Sequence, residues 1–305
     1  MSDETTDPTR GRRRRRFWFA LATLAIGVAA VGTGTWLAWP SGGAPAVPAF
    51  RHALVVVFEN KERGEVAGNL AAPTFAALTR RYATLSTYEA VAHPSLPNYL
   101  ALVSGSTQGI KSNCTSCLVR ASNFADLLQQ VGLTWKTYAE GLPRPGFTGA
   151  TAGLYAKKHN PFLYFAGIAQ NRSRRARVVP LAQLRRDLAA ERLPDFALVV
   201  PNLCHDMHDC PVASGDQWLR RTIVPLLHEP QLAESVVFVV FDEGATDEGG
   251  GGRVVALALG PLVRPGSDYD RPTTHFGLLR TLEDAWRLPR LGHSAQAQPI
   301  TGIWK

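Results

Sequence analysis

Three runs of apolar, largely β-branched residues stand out along the chain: Ala53–Phe58, Phe196–Val200 and Val236–Phe241. A fourth covers residues 254–259. None alternates with polar residues, which is the pattern of strands covered on both faces. Between them, apolar positions recur at helical spacing. Helices are predicted over 75–82, after Pro73-Thr74, and over 123–131, closed by Gly132. Another is predicted over 216–228, with Trp218, Leu219, Ile223, Leu226 and Leu227 on one face and a kink at Pro225. A fourth covers 276–286, carrying Leu278, Leu279, Leu282 and Trp286. A further helix starts at Ser95, with Pro97 in its first turn. Strands alternating with helices predict an α/β fold built on a doubly wound, mostly parallel sheet. Residues 142–178 follow neither period and read as a large loop or cap.

The first forty residues follow a different rule. A basic tail (1–16) holds the arginine block Arg12 to Arg16, and residues 17–39 after it carry no charge. Those 23 residues suffice to cross a bilayer as a helix, which needs ~20. Trp18, Trp36 and Trp39 fall near the two ends, where interfacial aromatics belong. The segment therefore reads as a transmembrane signal anchor. A cleaved signal peptide is the alternative, with Ala44-Pro45-Ala46 as the cleavage site. Either way the arginines stay in the cytoplasm. The remainder then lies on the extracellular or periplasmic side of the membrane, or is secreted after cleavage. Residues 40–50, rich in Gly, Ala and Pro, read as a linker, and 51–305 as one catalytic domain.

Composition narrows the class. With 45% hydrophobic and 19% charged residues, global disorder and coiled coil are excluded. The net charge is +8, of which +3 belongs to the basic tail, so the domain has no strong cationic excess that would suggest nucleic acid. Four cysteines fall as Cys114/Cys117 and Cys204/Cys210. Export favours disulfides, and among three connectivities local pairing is preferred. The arginine-rich run between Arg172 and Arg186 reads as a solvated face; steering of anionic phospholipid headgroups is the alternative.

Candidate chemistry gathers where strands end, the edge at which α/β sheets bind ligands. One run leads into Glu59-Asn60 and another into Asp242-Glu243. The third leads into Pro201-Asn202 and then a stretch holding His205, Asp206, His208 and Asp209. Carboxylates gathered on one edge repel unless a cation or shared protons offset them. A hard divalent cation fits Glu59, Asn60, Asp242 and Glu243, with His205 or His208 as an imidazole ligand or an acid–base group. Ser95 is either a helix N-cap or a nucleophile whose helix N-terminus receives phosphate oxygens, with Asn98 donating to developing charge.

Several motifs in order carry a resemblance. They are Phe58-Glu59-Asn60-Lys61, His93-Pro94-Ser95-Leu96-Pro97-Asn98-Tyr99, Lys158-His159-Asn160-Pro161-Phe162, Pro201-Asn202 with Asp206-Met207-His208-Asp209, Gly215-Asp216-Gln217-Trp218-Leu219, Asp242-Glu243-Gly244, and His275 ahead of Leu278. Together they resemble the bacterial phosphoesterase family of secreted acid phosphatases and phosphatidylinositol-3-phosphatases, related to non-haemolytic phospholipases C. The resemblance covers about Arg51 to Trp304. It implies the fold of the alkaline-phosphatase-like superfamily, with Ser95 as nucleophile. It also implies a divalent metal on Glu59, Asn60, Ser95, Asp242 and Glu243, with His159, His208 and His275 around the phosphate. His93 stands beside Ser95 in its motif, and Asp206, Asp209 and Asp216 are further phosphate-site candidates. Glu243 departs from the wider superfamily, where His often follows the Asp, and this makes the site richer in oxygen. A protonated histidine would give the leaving group its proton and favour an acidic optimum.

Three functions are consistent with these residues. The first is a phosphomonoesterase acting on phosphomonoesters, phosphoinositides included. The second is a phospholipase C-like phosphodiesterase with the same site; the lack of extra C-terminal domains favours the monoesterase over it. The third is an inactive surface-binding protein, disfavoured by the complete set of acidic strand ends.

Overall fold

The computed structural model describes residues 46–305. Its core is an eight-stranded sheet: β1 Ala53–Phe58, β2 Ala83–Leu85, β3 Trp135–Ala139, β4 Val178–Pro180, β5 Phe196–Val200, β6 Val236–Phe241, β7 Ala256–Leu259 and β8 Asp268–Tyr269, in the order β8-β2-β7-β6-β1-β5-β3-β4. The block from β6 to β4 is parallel throughout. Every residue of β1, β5 and β6 is buried, which is why these strands read as continuous apolar runs. β1 and β6 pair without offset, from Ala53 opposite Val236 to Phe58 opposite Phe241. Glu59 and Asp242, the next residue of each strand, are thereby brought side by side at the carboxyl edge.

Six helices of seven or more residues accompany the sheet: α1 Pro73–Arg81, α2 Ser95–Ser104, α3 Phe124–Gln130, α4 Ala182–Ala189, α5 Val212–Thr222 and α6 His275–Ala285. Their ends follow local chemistry. Asn123 caps α3 in a capping box with Asp126, and Thr274 Oγ1 accepts the Phe276 N–H at the start of α6. α5 starts four residues before the predicted 216 and ends at Thr222. Pro225 then falls in a separate 3-10 turn, Val224–His228. α1 packs on α5, and α2 on α6. Phe58 meets Phe75 of α1 (5.5 Å between ring centroids) and Trp218 of α5 (5.9 Å). Strand alternation then directs Glu59 to the opposite face, toward α2.

The structure corrects other expectations. The run 254–259 contributes only Ala256–Leu259, and this strand is antiparallel to both neighbours. No crossover helix separates it from β6, so the chain turns straight back beside the strand it left. Residues 40–50 are not wholly a linker: Val47 and Phe50 are buried, and Phe50 packs on Trp286 and Trp304. Residues 142–178 form a two-stranded hairpin (Thr151–Ala152 with Tyr155–Ala156), 3-10 turns and two one-turn helices. The basic tail and the predicted transmembrane segment 17–39 lie outside the described residues. Among the described residues, no helix is long and apolar enough to cross a membrane.

One buried group couples the fold to pH. Glu283 of α6 accepts hydrogen bonds from Leu291 N–H (2.9 Å) and Ser294 Oγ (2.6 Å). Burial pushes its pKa up to about 7. The folded state therefore prefers the protonated acid. Its contribution is full below the ordinary value of 4.5 and is lost as pH rises through about 7. Glu283→Gln should flatten that decline, worth up to ~3 kcal/mol. Thermal melts of wild type and variant at pH 5 and pH 8 check this. An equal fall in both proteins would assign the decline to other groups.

Candidate active site

Ser95 is the first residue of α2 and Pro94 is its N-cap, so Ser95 is not the cap. Its hydroxyl is left for other partners. Ser95 Oγ lies 3.1 Å from Glu59 Oε2 and 3.1 Å from Glu243 Oε1, and Lys158 Nζ donates to it at 3.3 Å. One serine proton serves one carboxylate at a time, so the oxygen sits between two bases. The expected anion-binding role of the helix N-terminus is weaker than the sequence suggests. The Leu96 N–H is already bonded to Asn113 Oδ1 (3.0 Å), and Pro97 has none.

Each flanking carboxylate is backed by a histidine. His159 Nε2 lies 3.1 Å from Glu59 Oε1, and its Nδ1 lies 3.3 Å from Asp206 Oδ2. All three residues are buried, and Tyr99 stacks on the His159 ring at 5.2 Å. Burial alone would raise Glu59, but the facing His159 holds it down to about 2. Burial disfavours the charged imidazole of His159, yet Glu59 and Asp206 raise its pKa overall. On the other side, His93 Nδ1 lies 2.5 Å from Glu243 Oε2, and its Nε2 meets the Thr246 carbonyl at 2.9 Å. His93 is likewise raised: partial burial opposes it, and the Thr246 carbonyl and Glu243 outweigh that burial.

Asp242 and Glu243 are both raised, by burial first and then by neighbouring carboxylates, Asp242 well above the usual range. Asn60 adopts a left-handed turn (φ 50°), which Asn tolerates, and its N–H donates to Asp242 Oδ1 (3.2 Å). Asn60 thus ties the two strand ends together through its backbone.

This donor set fits a cation. Glu59, His159 and Asp206 offer ligand atoms that lie within 4.8 Å of one another and can hold a metal ion. Glu59 Oε1, His159 Nε2, Asp206 Oδ2 and Asp242 Oδ2 are buried and lack an aligned hydrogen-bond partner. A divalent cation would satisfy such atoms and offset the gathered charge. Glu59 belongs both to this triad and to the set expected from the sequence. His159, expected beside the phosphate, instead backs Glu59.

Lys158 also donates to His208 Nε2 (3.1 Å), while His208 Nδ1 faces Asp209 Oδ1 at 2.6 Å. Because Lys only donates, Nε2 accepts and the proton sits on Nδ1. In this arrangement Nε2 is taken up by Lys158 and is not free for the imidazole-ligand or acid–base role expected of His208. Asp206 Oδ1 accepts the His208 N–H (2.8 Å), and a Cys204–Cys210 disulfide closes their loop. Cys114 is joined to Cys117. His205 turns away and pairs with Glu140 (2.9 Å).

Three expected phosphate-site residues have other work. Asn98 is fully buried: its Oδ1 accepts the N–H groups of Val91 and Ala92, and its Nδ2 donates to the Ala92 carbonyl (2.6 Å), so its amide holds the loop before Ser95. His275 lies behind the site. Its Nε2 meets the Asp242 carbonyl (2.6 Å), its Nδ1 meets the Tyr88 hydroxyl (2.9 Å), and burial lowers it to about 4. Asp216 caps α1 from another helix, accepting from Thr74 N–H, Thr74 Oγ1 and Phe75 N–H at 2.8–3.0 Å. In the arginine-rich run, Arg174 bonds Asp126, Gln129 and the Gly167 carbonyl, and Arg175 bonds the Ala169 carbonyl, so both brace the fold. Lys158 is the site residue that sequence reasoning passed over. It stands in a quoted motif, but a lysine in an irregular segment carries no periodic signal.

Known proteins agree with this architecture. A profile of the Phosphoesterase family matches residues 59–289. A phosphatidylinositol-3-phosphatase of Mycobacterium tuberculosis is 35% identical over 296 residues, 95% of each chain. A probable acid phosphatase of Kluyveromyces lactis is 31% identical over 265 residues, 83% of this chain and 62% of the yeast protein. Among solved structures, human ectonucleotide pyrophosphatase/phosphodiesterase 5 shares the fold at 12% identity, with a TM-score of 0.55 over 82% of this chain and 100% of that one. An alkaline phosphatase superfamily protein from Vibrio parahaemolyticus does so at 14% identity, with a TM-score of 0.53 over 79% and 67%. On these likenesses the chain belongs to the Phosphoesterase family, and it is a phosphoric ester hydrolase of alkaline-phosphatase-like fold.

Proposed function

We propose that the protein is an exported, metal-dependent phosphomonoesterase of the acid-phosphatase type, with Ser95 as nucleophile and phosphoinositides among its substrates. The observation that carries this reading is Ser95 Oγ held between Glu59 and Glu243 with Lys158 beside it. Ser95 gives its proton to one of the two carboxylates as its oxygen bonds to phosphorus. The ester P–O bond breaks and the leaving oxygen takes a proton from solvent. Water then displaces the serine oxygen from phosphorus, releasing phosphate; the carboxylate returns its proton to Ser95, and the proton lost by the attacking water goes to solvent, replacing the one taken by the leaving oxygen. Glu59, Asp242 and Glu243, with His159 and Asp206, would hold the metal, which supplies charge neutralisation and a more acidic serine hydroxyl. His159 and His93 hold the carboxylates that hold the nucleophile. The name of the mycobacterial relative, similar over nearly the whole of both chains, supports the phosphoinositide substrate.

The full chain should release p-nitrophenol faster from p-nitrophenyl phosphate than from bis(p-nitrophenyl) phosphate, and chelator should abolish both activities. Preference for the diester would favour the phospholipase C-like reading. Full activity after exhaustive chelation would remove the metal. Export rests on the arginine block ahead of residues 17–39. Protease added to intact cells should digest the domain, and complete protection would sink that placement.

A further inference from the structure

We propose that Lys158 is the residue that makes the site prefer phosphomonoesters to phosphodiesters, a role that rests on the phosphomonoesterase reading. Among the described residues it is the one cationic side chain hydrogen-bonded to Ser95. It is half-buried, in the 3-10 turn Lys157–His159 midway along the irregular segment between β3 and β4. Its Nζ is 3.3 Å from the oxygen that receives phosphorus, so a non-bridging oxygen of a phosphoryl group on Ser95 falls within its reach. His208 Nε2, fixed as an acceptor by Asp209, holds that Nζ at 3.1 Å. The neighbouring Lys157 is turned elsewhere, onto the Thr115 carbonyl (2.7 Å).

Charge makes this position selective. A monoester dianion places two negative charges on three non-bridging oxygens, whereas a diester places one on two. Around Ser95 the carboxylates Glu59, Glu243, Asp242 and Asp206 gather, and the histidines His159 and His93 are already paired to them. A cation offsetting part of that charge leaves the second charge of the monoester unmatched unless the chain adds a positive group. Lys158 is that group, and charge-assisted hydrogen bonds to phosphoryl oxygens strengthen as charge builds there. A diester lacks the third oxygen and gains less.

The test uses the full chain and its Lys158→Ala and Lys158→Arg variants. For Lys158→Ala, kcat/KM on p-nitrophenyl phosphate should fall by about 10²–10³, and on bis(p-nitrophenyl) phosphate by less than 10-fold. Inhibition by inorganic phosphate should weaken at least 10-fold. Lys158→Arg, which keeps the charge, should restore much of the monoester rate. Equal losses on both esters with unchanged phosphate inhibition would overturn the proposal and leave Lys158 as a support for Ser95. If the wild type cleaves only the diester, the monoesterase reading fails by itself. Phosphate inhibition of diester cleavage then still decides whether Lys158 binds the phosphoryl group.

Discussion

Ser95→Ala should lower turnover of a phosphomonoester by a factor on the order of 10³ or more and leave the protein folded. The loss would follow from position: Ser95 Oγ, the attacking oxygen of the proposed mechanism, is the one atom that Glu59, Glu243 and Lys158 share. Without it, water must attack with no group holding it in line. Folding is spared because Pro94, not Ser95, stands at the N-cap, so no capping bond is lost. Lys158 keeps its bond to His208 and its charge still acts on Glu59, so stability should change by no more than ~1 kcal/mol. Rapid quenching of the wild type with a labelled monoester should trap phosphate on the peptide that contains Ser95. Label on a histidine, or more than about a tenth of the activity left in Ser95→Ala, would move the chemistry away from this serine.

The parts of the fold visible in the sequence were those with a single environment. β1, β5 and β6 are buried along their whole length, so composition alone marks them. β3, in the same parallel block, leaves no such mark because its residues serve two environments. Trp135 and Tyr138 are buried, but Lys136 reaches out to pair with Asp187, which also accepts from the Tyr138 hydroxyl (2.7 Å). A lysine in a five-residue strand hides the apolar run. β2, β4 and β8 have two or three residues each, too few for any period. In the site, strand ends locate Glu59, Asp242 and Glu243, because a strand fixes where its last side chains stand; Asp206 lies six residues past β5 and is held by the disulfide-closed loop and by the bond from Glu59 N–H to its carbonyl. Histidines could not be sorted this way. His93, His159, His208 and His275 all come near the site, and only tertiary geometry separates those backing a carboxylate from the one orienting Lys158 and the one behind Asp242. Asn98 and Asp216 sit in the motifs of the resemblance, yet their side chains hold a loop and a helix end.

Asp242→Asn should separate stability from activity in opposite directions. Asp242 is fully buried, its Oδ1 accepts the Asn60 N–H, and its Oδ2 has no hydrogen-bond partner. Burial, and then the charges of Glu59 and Glu243, push its carboxyl well above the usual range, so an ionised Asp242 is a strained feature of the protein without a cation. Asparagine keeps the oxygen that Asn60 uses and removes the charge. In chelator the variant should melt a few degrees above wild type, equivalent to roughly 1–2 kcal/mol. With a divalent cation added the order should narrow or reverse, because wild type gains binding energy that the variant has lost. Turnover should fall by a factor on the order of 10² or more, since the cation is held more weakly where charge builds on the phosphoryl group. Calorimetry with and without chelator, run beside p-nitrophenyl phosphate hydrolysis, reads both effects on the same samples. A variant that melts below wild type in chelator would show that Asp242 stabilises the fold as an acid. A variant that keeps wild-type turnover would place the metal away from Asp242, on Glu59, His159 and Asp206 alone.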